Sequence, residues 1–512
     1  MTYLPVTHDP ALRPQRRSWP THPQLAPLYV GVLGLLISFA ASWNPSYWGD
    51  EAASVMSAER SLPSLFRMLG TIDAVHGTYY LMLHFWIDLF GASELSTRLP
   101  SAIAIGVATA GTFTLARMLT SARVAWIAAL VFAVLPRVTY MGAEARSTAV
   151  ATAIAVWLVV LLVHLLRAGT ASRRARTWLW IGYTALFALG IYVFLYIALL
   201  VPVLGVAVFL LTPDRAGRRR QLVAWSGATV IGLLIASPVL LAGVSQKDQL
   251  SFIGRRAQTG VLDAAVNQWF GNVPAAIIAW ALILLAVVLA WFGRGRVPSL
   301  QRDRAAFGVM LAWMLVPSAA LLIGTHVVTP MYSLRYLSIC TPAAAIALGI
   351  ALAWIRPRWA GITALVLLIA AIAPSYVDQR GPYAKNAGSD WRQAAAIVQA
   401  GAHPGDAIVF DESVRPSRKP RLAMHLYPAS FTGLRDVTLD PAYADTGSLW
   451  DTTRPLESVL DSLAGTDTVW LVQYSGSSEE KAGTDLRTLQ DLGFSVASTA
   501  TVVHTTITEL TR

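Results

Sequence analysis

The stretch PLYVGVLGLLISFAASWNPSYWGDE, residues 27–51, decides the fold of this chain. Its apolar part, residues 27–43, has the length and composition of a helix that crosses a bilayer. Two adjacent carboxylates, Asp50 and Glu51, follow within about two helical turns of the membrane face. Asp and Glu beside a bilayer usually pair, line a watered cavity or take part in chemistry. The stretch therefore predicts a functional site at the membrane face, with an ordinary polar loop as the alternative.

The composition of the whole chain places it in the membrane class. Of its 512 residues, 55% are hydrophobic and only 13% are charged, and the mean hydropathy is +0.52. Soluble domains carry about twice that charged fraction, so this chain cannot bury its apolar surface in a soluble core. The pI of about 9.9 does not point to a nucleic-acid partner, because the basic residues form short clusters between apolar runs. The single cysteine, Cys340, excludes an intramolecular disulfide.

Charge divides the chain into two domains. Residues 1–375 carry a net charge of +16, and residues 376–512 carry a net charge of −5. We expect a cytoplasmic tail at 1–26, a transmembrane domain at 27–375 and a soluble extracytoplasmic domain after it. The first outer loop, residues 44–97, is expected to carry the site.

The apolar runs predict a polytopic α-helical membrane protein with about eleven transmembrane helices. The expected spans are 27–43, 98–119, 122–137, 145–166, 178–194, 195–212, 222–243, 273–292, 305–323, 335–353 and 359–375. With the amino terminus in the cytoplasm, every inward loop is rich in arginine, as the positive-inside rule requires. Most acids of the membrane domain then lie outside, on the side of the soluble domain. We expect the chain in the plasma (inner) membrane, with its site extracytoplasmic.

The segment from His76 to Phe90 is too short to span comfortably, and counting it as a span would reverse every later loop. We expect it to lie along the outer surface, with its aromatic rings at the membrane interface. These rings are Tyr79, Tyr80, Phe85 and Trp86. A shorter amphipathic helix precedes it at 61–66, with Ser61 at its start and a proline at an early position. The first outer loop thus forms a small folded roof.

The soluble domain is expected to be α/β. An Ala-rich helix ends near Ala400, and a strand follows at 407–410. Further strands are expected at 468–474 and 495–507, with a helix at 485–492 between them. A domain of this size and acidity keeps itself soluble, and acceptor binding or partner docking is the functional alternative.

Two charged stretches of this domain are expected to be solvated loops. The first is the pair Asp411-Glu412 after the strand, for which catalysis is the alternative. The second is the basic run 415–421, for which contact with anionic lipid or glycan is the alternative.

Four groups of polar side chains lie at the predicted outer ends of the spans. They are Asp50-Glu51, Asp73 with His76, Glu144 with Arg146, and His326 with Arg335-Tyr336. A carboxylate can deprotonate a hydroxyl while arginines neutralise a leaving phosphate, so the mixture suits transfer from a phosphate-linked donor. The alternatives are structural: Arg335 as an interfacial anchor, and Glu144 and Arg146 as a pair whose members point apart.

Six motifs occur in a fixed order along the chain. They are Trp48-Gly49-Asp50-Glu51, Asp73-x-x-His76-x-x-Tyr79-Tyr80-Leu81, Phe90-Gly91-x-Ser93-Glu94, Arg98-Leu99-Pro100-Ser101, Glu144-x-Arg146 and Arg335-Tyr336-Leu337. Their order and spacing resemble the polytopic glycosyltransferases of the GT-C fold, in particular the dolichyl-phosphate-mannose protein mannosyltransferase-like (family 39-like) group, of which the lipid A aminoarabinose transferases are relatives. The Asp390-Trp391-Arg392 and Pro404-Gly405-Asp406 region further resembles actinobacterial members. Gly77-Thr78 and Ser147-Thr148 depart from the common pattern, so the resemblance does not name the sugar.

The resemblance implies an inverting transferase that uses a polyprenyl-phosphate sugar, with mannose favoured. The acceptor would be an extracytoplasmic glycan, lipoglycan or protein. Asp50 is then the general-base candidate, with Glu51 supporting it or binding the acceptor. The implied substrate-binding residues are Asp73, His76, Tyr79, Tyr80, Glu144, Arg146, His326, Arg335 and Tyr336, of which Arg146, His326, Arg335 and Tyr336 would hold the donor phosphate.

The sequence shows no nucleotide-binding glycine loop, and a donor activated by its phosphate ester needs none. A divalent metal, Mg or Mn, could sit between Asp50, Asp73 and His76, and a cluster that works by proton transfer and hydrogen bonding alone is the simpler alternative. The partners expected besides donor and acceptor are membrane lipids. Three other functions stay open: an arabinofuranosyltransferase of the same fold, a flippase or transporter for a lipid-linked sugar, and a scaffold that binds envelope polymer.

Overall fold

The computed structural model describes residues 24–167, 172–246, 260–292, 298–327, 332–475 and 479–512. Nearly all of the predicted cytoplasmic tail lies outside the described residues. Up to Asp378 the described chain is a bundle of helices, and from Trp391 onward it forms a smaller unit around a β-sheet. The predicted class, a polytopic helical membrane protein with a C-terminal α/β domain, is confirmed.

The helices of the bundle are α1 (Ala26–Phe39), α2 (Gly49–Ala58), α3 (Leu62–Leu69), α4 (Gly77–Phe90), α5 (Glu94–Leu119), α6 (Ala122–Val134), α7 (Pro136–Met141), α8 (Thr148–Arg167), α9 (Arg173–Val193), α10 (Val201–Leu211), α11 (Arg215–Ile235), α12 (Ser237–Ser245), α13 (Val261–Asn267), α14 (Val273–Phe292), α15 (Pro298–Val327), α16 (Thr341–Trp354) and α17 (Arg358–Asp378). Short 3-10 turns precede α4, α10 and α16. Each predicted span overlaps at least one of these helices.

Six helical segments are long and apolar enough to cross a membrane, among the residues that the structure describes. A seventh would be the pair α11 and α12, which is bent by 55°. Three further apolar helices, at Ala26–Phe39, Ala122–Val134 and Leu195–Leu211, are shorter. The chain is therefore a membrane protein, and the number of eleven spans stays a prediction.

Helix α16 lies at the centre of the bundle, and α17 lies at its edge. Of the apolar window over Leu334–Trp354, 94% is buried, against 17% for Arg358–Asp378. Where α1 crosses α5, a Cβ on Gly31 would lie 3.1 Å from the carbonyl oxygen of Gly106. Small residues at such crossings let two backbones approach closely, which is the usual means of helix association in a bilayer.

Four arginines lie at one end of the bundle. Arg123 at the start of α6 lies within electrostatic reach of Arg356 and Arg358 before and at the start of α17. The arginine at the end of α8, Arg167, donates to the carbonyl of Met118 at the end of α5. These loops are the ones predicted to face inward, and the structure places them at a common end.

The first outer loop folds into the helices α2, α3 and α4, and α3 begins with a proline in its first turn as predicted. The prediction that Tyr79 and Tyr80 lie at the membrane interface is wrong, because they are 2% and 0% exposed and pack with Leu65 and Met68 of the loop. Phe85 on the opposite face of α4 is exposed. Helix α4 is thus a folded part of the roof and presents only one face outward.

The C-terminal domain contains a five-stranded sheet of order β2-β1-β3-β5-β4. Its elements are α18 (Trp391–Gly401), β1 (Ala407–Phe410), α19 (Leu422–Leu426), β2 (Arg435–Asp436), β3 (Thr468–Tyr474), α20 (Glu479–Asp491), β4 (Ser495–Thr501) and β5 (Thr505–Thr511). Strands β2, β1 and β3 are parallel, and β5 pairs antiparallel with both β3 and β4.

One strand prediction in this domain is wrong. The stretch 495–507 is not a single strand, because the chain reverses after Thr501 and β5 returns along β4. The threonines and valines of this stretch favour β structure both before and after the turn that follows Thr501. Composition alone therefore does not show that the chain reverses direction there. The helix predicted at 485–492 is α20 and begins earlier, at Glu479.

The two charged stretches predicted as solvated loops are folded instead. Asp411 is 2% exposed and accepts bonds from the backbone N–H of Ser413 at 2.7 Å and of Tyr474 at 3.1 Å. Its neighbour Glu412 pairs with Lys419 and with Arg421, which is 2% exposed. Glu412 of the first stretch thus pairs with two cations of the second stretch, whereas Arg415 at the start of the second stretch is exposed.

Candidate active site

A cavity of about 760 Å³ lies between the first outer loop, the helix ends of the bundle and the C-terminal domain. Eight predicted site residues line it: Asp50, Asp73, His76, Glu144, Arg146, His326, Arg335 and Tyr336. Three predicted site residues, Glu51, Tyr79 and Tyr80, are not part of its lining.

Asp50 is placed by the first turn of helix α2. Trp48 precedes the helix in an extended conformation, and carboxylates in a first helical turn are favoured by the helix dipole. The carboxylate of Asp50 forms an ion pair with the guanidinium of Arg335, and both side chains are about a quarter exposed. The Arg335 guanidinium also lies 5.3 Å from the centre of the Trp48 ring. The predicted base and a predicted phosphate ligand are therefore direct neighbours.

Glu51 has a different place from the one predicted. It is fully buried and accepts two bonds of 2.7 Å from Arg98, which is fully buried as well. It also accepts a bond of 2.9 Å from the backbone N–H of Ala145. Burial alone would raise the pKa of Glu51, but the guanidinium of Arg98 outweighs it and lowers that pKa. Glu51 thus joins three segments beneath the cavity, and contact with an acceptor is not supported.

Asp73, His76 and Tyr80 form one group under the roof. Asp73 has a left-handed backbone (φ 58°), and its carboxylate accepts a bond of 2.8 Å from the Tyr80 hydroxyl. The Nε2 atom of His76 lies 3.4 Å from a guanidinium nitrogen of Arg146. Burial and the charge of Arg146 lower the pKa of His76 to about 4. The imidazole is therefore neutral near pH 7 and can accept a hydrogen bond from Arg146.

Arg146 connects helix α2 to the turn before α8. Its guanidinium donates to the backbone carbonyl of Asp50 at 3.1 Å and to the Ser54 hydroxyl at 3.3 Å. Glu144, two residues earlier, is 3% exposed, and burial raises its pKa although Lys385 lowers it. Lys385 is itself buried, which lowers its pKa to about 8. A second carboxylate that lines the cavity thus has a pKa above its ordinary value.

The part of the cavity lined by the bundle is aromatic and cationic. The rings of Tyr336 and Tyr196 stack with their centres 4.3 Å apart, and His326 lies in the last turn of α15. Arg137 also lines the cavity and donates to the backbone carbonyls of Gln268 and Asn267, each at 3.2 Å. Arg137 was not among the site residues predicted from the sequence.

The C-terminal domain supplies lining residues that sequence reasoning missed. They are Arg415, Pro416, Ser417, Leu449 and Trp450. The residues lie about 370 to 400 positions after Asp50 in the chain, and no sequence pattern connects them to it.

The residues predicted for a divalent metal do not fit one. The Asp50 carboxylate is paired with Arg335, and the Asp73 carboxylate accepts from Tyr80. Over the described ranges, no three His, Cys, Asp or Glu side chains come together as a ligand set. A metal at Asp50, Asp73 and His76 would require these side chains to leave their present partners.

Comparisons with known proteins agree with this architecture. Residues 78–241 match the family model described as dolichyl-phosphate-mannose-protein mannosyltransferase. No curated protein matches the chain in sequence. Among solved structures, ArnT from Cupriavidus metallidurans bound to undecaprenyl phosphate is similar, with a TM-score of 0.60 and 14% identity over 94% of this chain and 97% of that chain. The same protein in the apo state gives a TM-score of 0.58 with 13% identity and the same coverage.

The oligosaccharyltransferase from Archaeoglobus fulgidus in the apo form has a TM-score of 0.50 and 12% identity over 87% of this chain and 69% of that chain. At such identities the likeness shows a shared fold. The predicted resemblance to GT-C enzymes is confirmed, and the actinobacterial type stays a prediction. The chain thus has the GT-C fold of these proteins, and residues 78–241 of it match the mannosyltransferase family model.

Proposed function

We propose that this chain is an inverting glycosyltransferase that moves a sugar from a polyprenyl-phosphate donor to an extracytoplasmic glycan, lipoglycan or protein, with mannose as the first candidate sugar. The observation that carries the proposal is the pairing of Asp50 with Arg335 inside a cavity that Arg146 and His326 also line. A base and several groups able to bind an anion thus lie in a single cavity.

Asp50 acts as the general base in this proposal. The bond from the anomeric carbon to the phosphate oxygen breaks, and its electron pair stays on that oxygen. The acceptor hydroxyl forms the new bond from the opposite face while its proton passes to the carboxylate of Asp50. The configuration at the anomeric carbon inverts, and a phosphate monoester of the polyprenol is released.

The ion pair suggests an order of binding. While the Arg335 guanidinium occupies the Asp50 carboxylate, that carboxylate is not available to an acceptor hydroxyl. A donor phosphate competes for the same guanidinium, since Arg binds phosphate oxygens in a bidentate manner. Donor binding would therefore free Asp50, so the base becomes available only when a donor is present.

The lipid phosphate is assigned to the membrane side of the cavity. His326 lies in the last turn of the apolar helix α15, and Arg335 and Tyr336 lie in the 3-10 turn before the apolar helix α16. The ArnT structure of the same fold is bound to undecaprenyl phosphate, which supports a donor of that class. The arginine-rich end formed by Arg123, Arg356 and Arg358 supports a cytoplasmic side and an extracytoplasmic cavity in the plasma membrane.

The test is transfer of radiolabelled sugar from polyprenyl-phosphate mannose and polyprenyl-phosphate arabinofuranose to an envelope extract. We expect Asp50→Asn to lower transfer by about 10²- to 10⁴-fold, the range of general-base catalysis, while donor binding persists. Asp88→Asn is the matched control, because Asp88 lies on the roof helix α4 with 61% of its side chain exposed and does not line the cavity. A chelator arm tests dependence on Mg or Mn.

The other functions are outcomes of the same experiment. Transfer of arabinofuranose alone would make the chain an arabinofuranosyltransferase of the same fold. A wild-type protein that binds the donor and carries it across vesicles, but transfers no sugar, would be a flippase. Equal transfer by wild type and Asp50→Asn would overturn the role of Asp50.

A further inference from the structure

One wall of the cavity belongs to the C-terminal domain. It consists of two segments, residues 415–417 and residues 449–450, and is called the domain wall below. The first segment follows β1 in the chain, and the second precedes β3. The predicted donor ligands Arg335, Tyr336 and His326 come from the bundle instead, so the two sets of lining residues belong to different domains.

The first segment of the domain wall lies directly against the helix that carries Asp50. A Cβ placed on Gly49 would lie 2.2 Å from the carbonyl oxygen of Ser417. Only a glycine leaves room for that approach, and Gly49 immediately precedes Asp50. The domain wall therefore touches the first turn of α2, one residue from the proposed base.

The second segment is held on the roof by several bonds. Arg60, 1% exposed, donates to the backbone carbonyls of Thr446 at 3.0 Å and of Ser448. Thr71 donates to the carbonyl of Gly447 at 2.5 Å. The residues that accept these bonds, 446–448, come immediately before Leu449 and Trp450 in the chain. The bonds therefore fix the position of Leu449 and Trp450 relative to the roof.

The chemistry of the domain wall suits a sugar ring. Leu449 is 6% exposed, Trp450 is half-buried, and Arg415 is exposed with a fork of N–H donors. An indole face packs against the apolar C–H face of a sugar, and a guanidinium donates to its hydroxyl oxygens. Neither segment belongs to a strand, so the wall offers no sheet edge for a bound peptide.

We propose that the domain wall is the acceptor subsite and that the acceptor bound there is a saccharide, stacked on Trp450 and hydrogen-bonded by Arg415. The inference rests on the proposed function, because it takes the transfer reaction as given. An inverting displacement needs the acceptor opposite the leaving phosphate. Because the bundle holds the donor, the acceptor binds on the other wall of the cavity, which is the domain wall. From there its hydroxyl reaches Asp50.

The experiment measures KM for two acceptors in full-length protein: octyl α-mannopyranoside and a synthetic peptide rich in Ser and Thr. Transfer comes from the donor sugar that the wild type uses, and hydrolysis of that donor without acceptor is recorded as well. We expect transfer to the mannoside, and we expect Trp450→Ala to raise its KM about tenfold or more, corresponding to about 1.4 kcal/mol. Trp450→Phe keeps most of the affinity, and the KM for donor and the rate of donor hydrolysis stay within about twofold in both variants.

A second variant tests the proposal in case Trp450→Ala does not fold. Arg415→Ala removes an exposed side chain and is expected to raise the mannoside KM by several-fold without changing donor hydrolysis. Its matched control is Arg454→Ala, because Arg454 is also exposed but does not line the cavity. If Trp450 only stabilised the fold, Trp450→Ala would lower donor hydrolysis and sugar transfer together. Trp450→Phe would then not restore either activity.

Three results would overturn the proposal. These are transfer to the peptide but not to the mannoside, an unchanged mannoside KM in both Trp450→Ala and Arg415→Ala, or a loss of donor hydrolysis equal to the loss of transfer. Failure of the proposed function looks different, because then the wild type neither hydrolyses nor transfers any donor sugar.

Discussion

At the residue scale, the two adjacent carboxylates have separate roles because they lie on a helix. Successive residues of an α-helix are turned by about 100°, so Asp50 and Glu51 point to different surroundings. Asp50 is paired with Arg335 in the cavity, and Glu51 is paired with Arg98 beneath it. A site that looks like a pair of acids in sequence is therefore one reactive candidate and one buried structural group.

Glu51→Gln should destabilise the protein strongly. The change leaves the buried guanidinium of Arg98 without its compensating charge, a loss of about 3 to 5 kcal/mol for buried pairs. Unfolding can be followed with a thiol-reactive dye, since the single cysteine, Cys340, is buried. Asp50→Asn is the matched control and should unfold close to the wild-type temperature, because Asp50 is partly exposed. Equal melting of Glu51→Gln and wild type would contradict the structural role of Glu51.

His76 should make stability depend on pH in a defined window. Its pKa is about 4 in the folded protein and about 6.5 in an unfolded chain. A group with a lowered folded pKa contributes fully above the unfolded pKa, and its contribution is lost as pH falls through the folded pKa. Stability should thus drop between pH 6.5 and pH 4, by up to about 3 kcal/mol from this residue.

The measurement is thermal unfolding of the ligand-free protein from pH 4 to pH 7. His76→Asn should flatten the pH profile in that window, because asparagine does not titrate. His403→Asn is the control, since His403 is exposed in the C-terminal domain. If His76→Asn kept the slope of the wild type, another group would be responsible for it.

At the element scale, helix α2 contacts segments of both domains around the Asp50 side of the cavity. Its sequence GDEAASVMSA is rich in small residues, and nine of its ten residues are buried. Small side chains let neighbours approach a helix from all sides, so α2 contacts the roof helix α4, the turn at Arg146 and the domain wall. This packing explains why a ten-residue helix with two acids is stable at the membrane face.

Gly49→Ala should separate the domain wall from α2. The new methyl group would lie within 2.2 Å of the Ser417 carbonyl, so the segment must move. We expect transfer to fall by at least about tenfold and the C-terminal domain to become more sensitive to limited proteolysis. Gly227→Ala in α11 is the matched control, because a Cβ there meets nothing within 4 Å. Wild-type transfer by Gly49→Ala would show that the close contact has no part in activity.

At the scale of the whole molecule, the C-terminal domain is docked on the membrane domain by charged and polar contacts. Arg392 donates to Glu94 at 2.5 Å and to the carbonyl of Trp43 at 2.7 Å. Asp390, two residues earlier, accepts from the backbone N–H of His504 and of Thr505. The Asp390-Trp391-Arg392 motif of the sequence thus joins the sheet to the first outer loop.

Arg60→Ala should loosen this docking. Arg60 reaches across the domain boundary to Thr446 and Ser448 and lies 4.9 Å from the centre of the Tyr443 ring. Its loss leaves two part-buried carbonyls without this donor, at a cost of at most about 1 to 3 kcal/mol each. We expect faster hydrogen exchange in residues 443–450 and weaker sugar transfer. Arg67→Ala is the control, because Arg67 makes one exposed bond to the carbonyl of Asp445. Unchanged exchange in Arg60→Ala would contradict this role.

The amino-acid sequence alone predicts the membrane class, the helical bundle, the α/β domain after it and eight of the residues that line the cavity. These follow from local signals: long apolar runs, charge asymmetry, and polar side chains at the ends of spans. The folded structure alone shows that Glu51, Tyr79 and Tyr80 are buried and that Arg137 and the domain wall line the cavity. These facts depend on contacts between residues up to several hundred positions apart, and no periodicity or local composition records which distant backbone a side chain will meet.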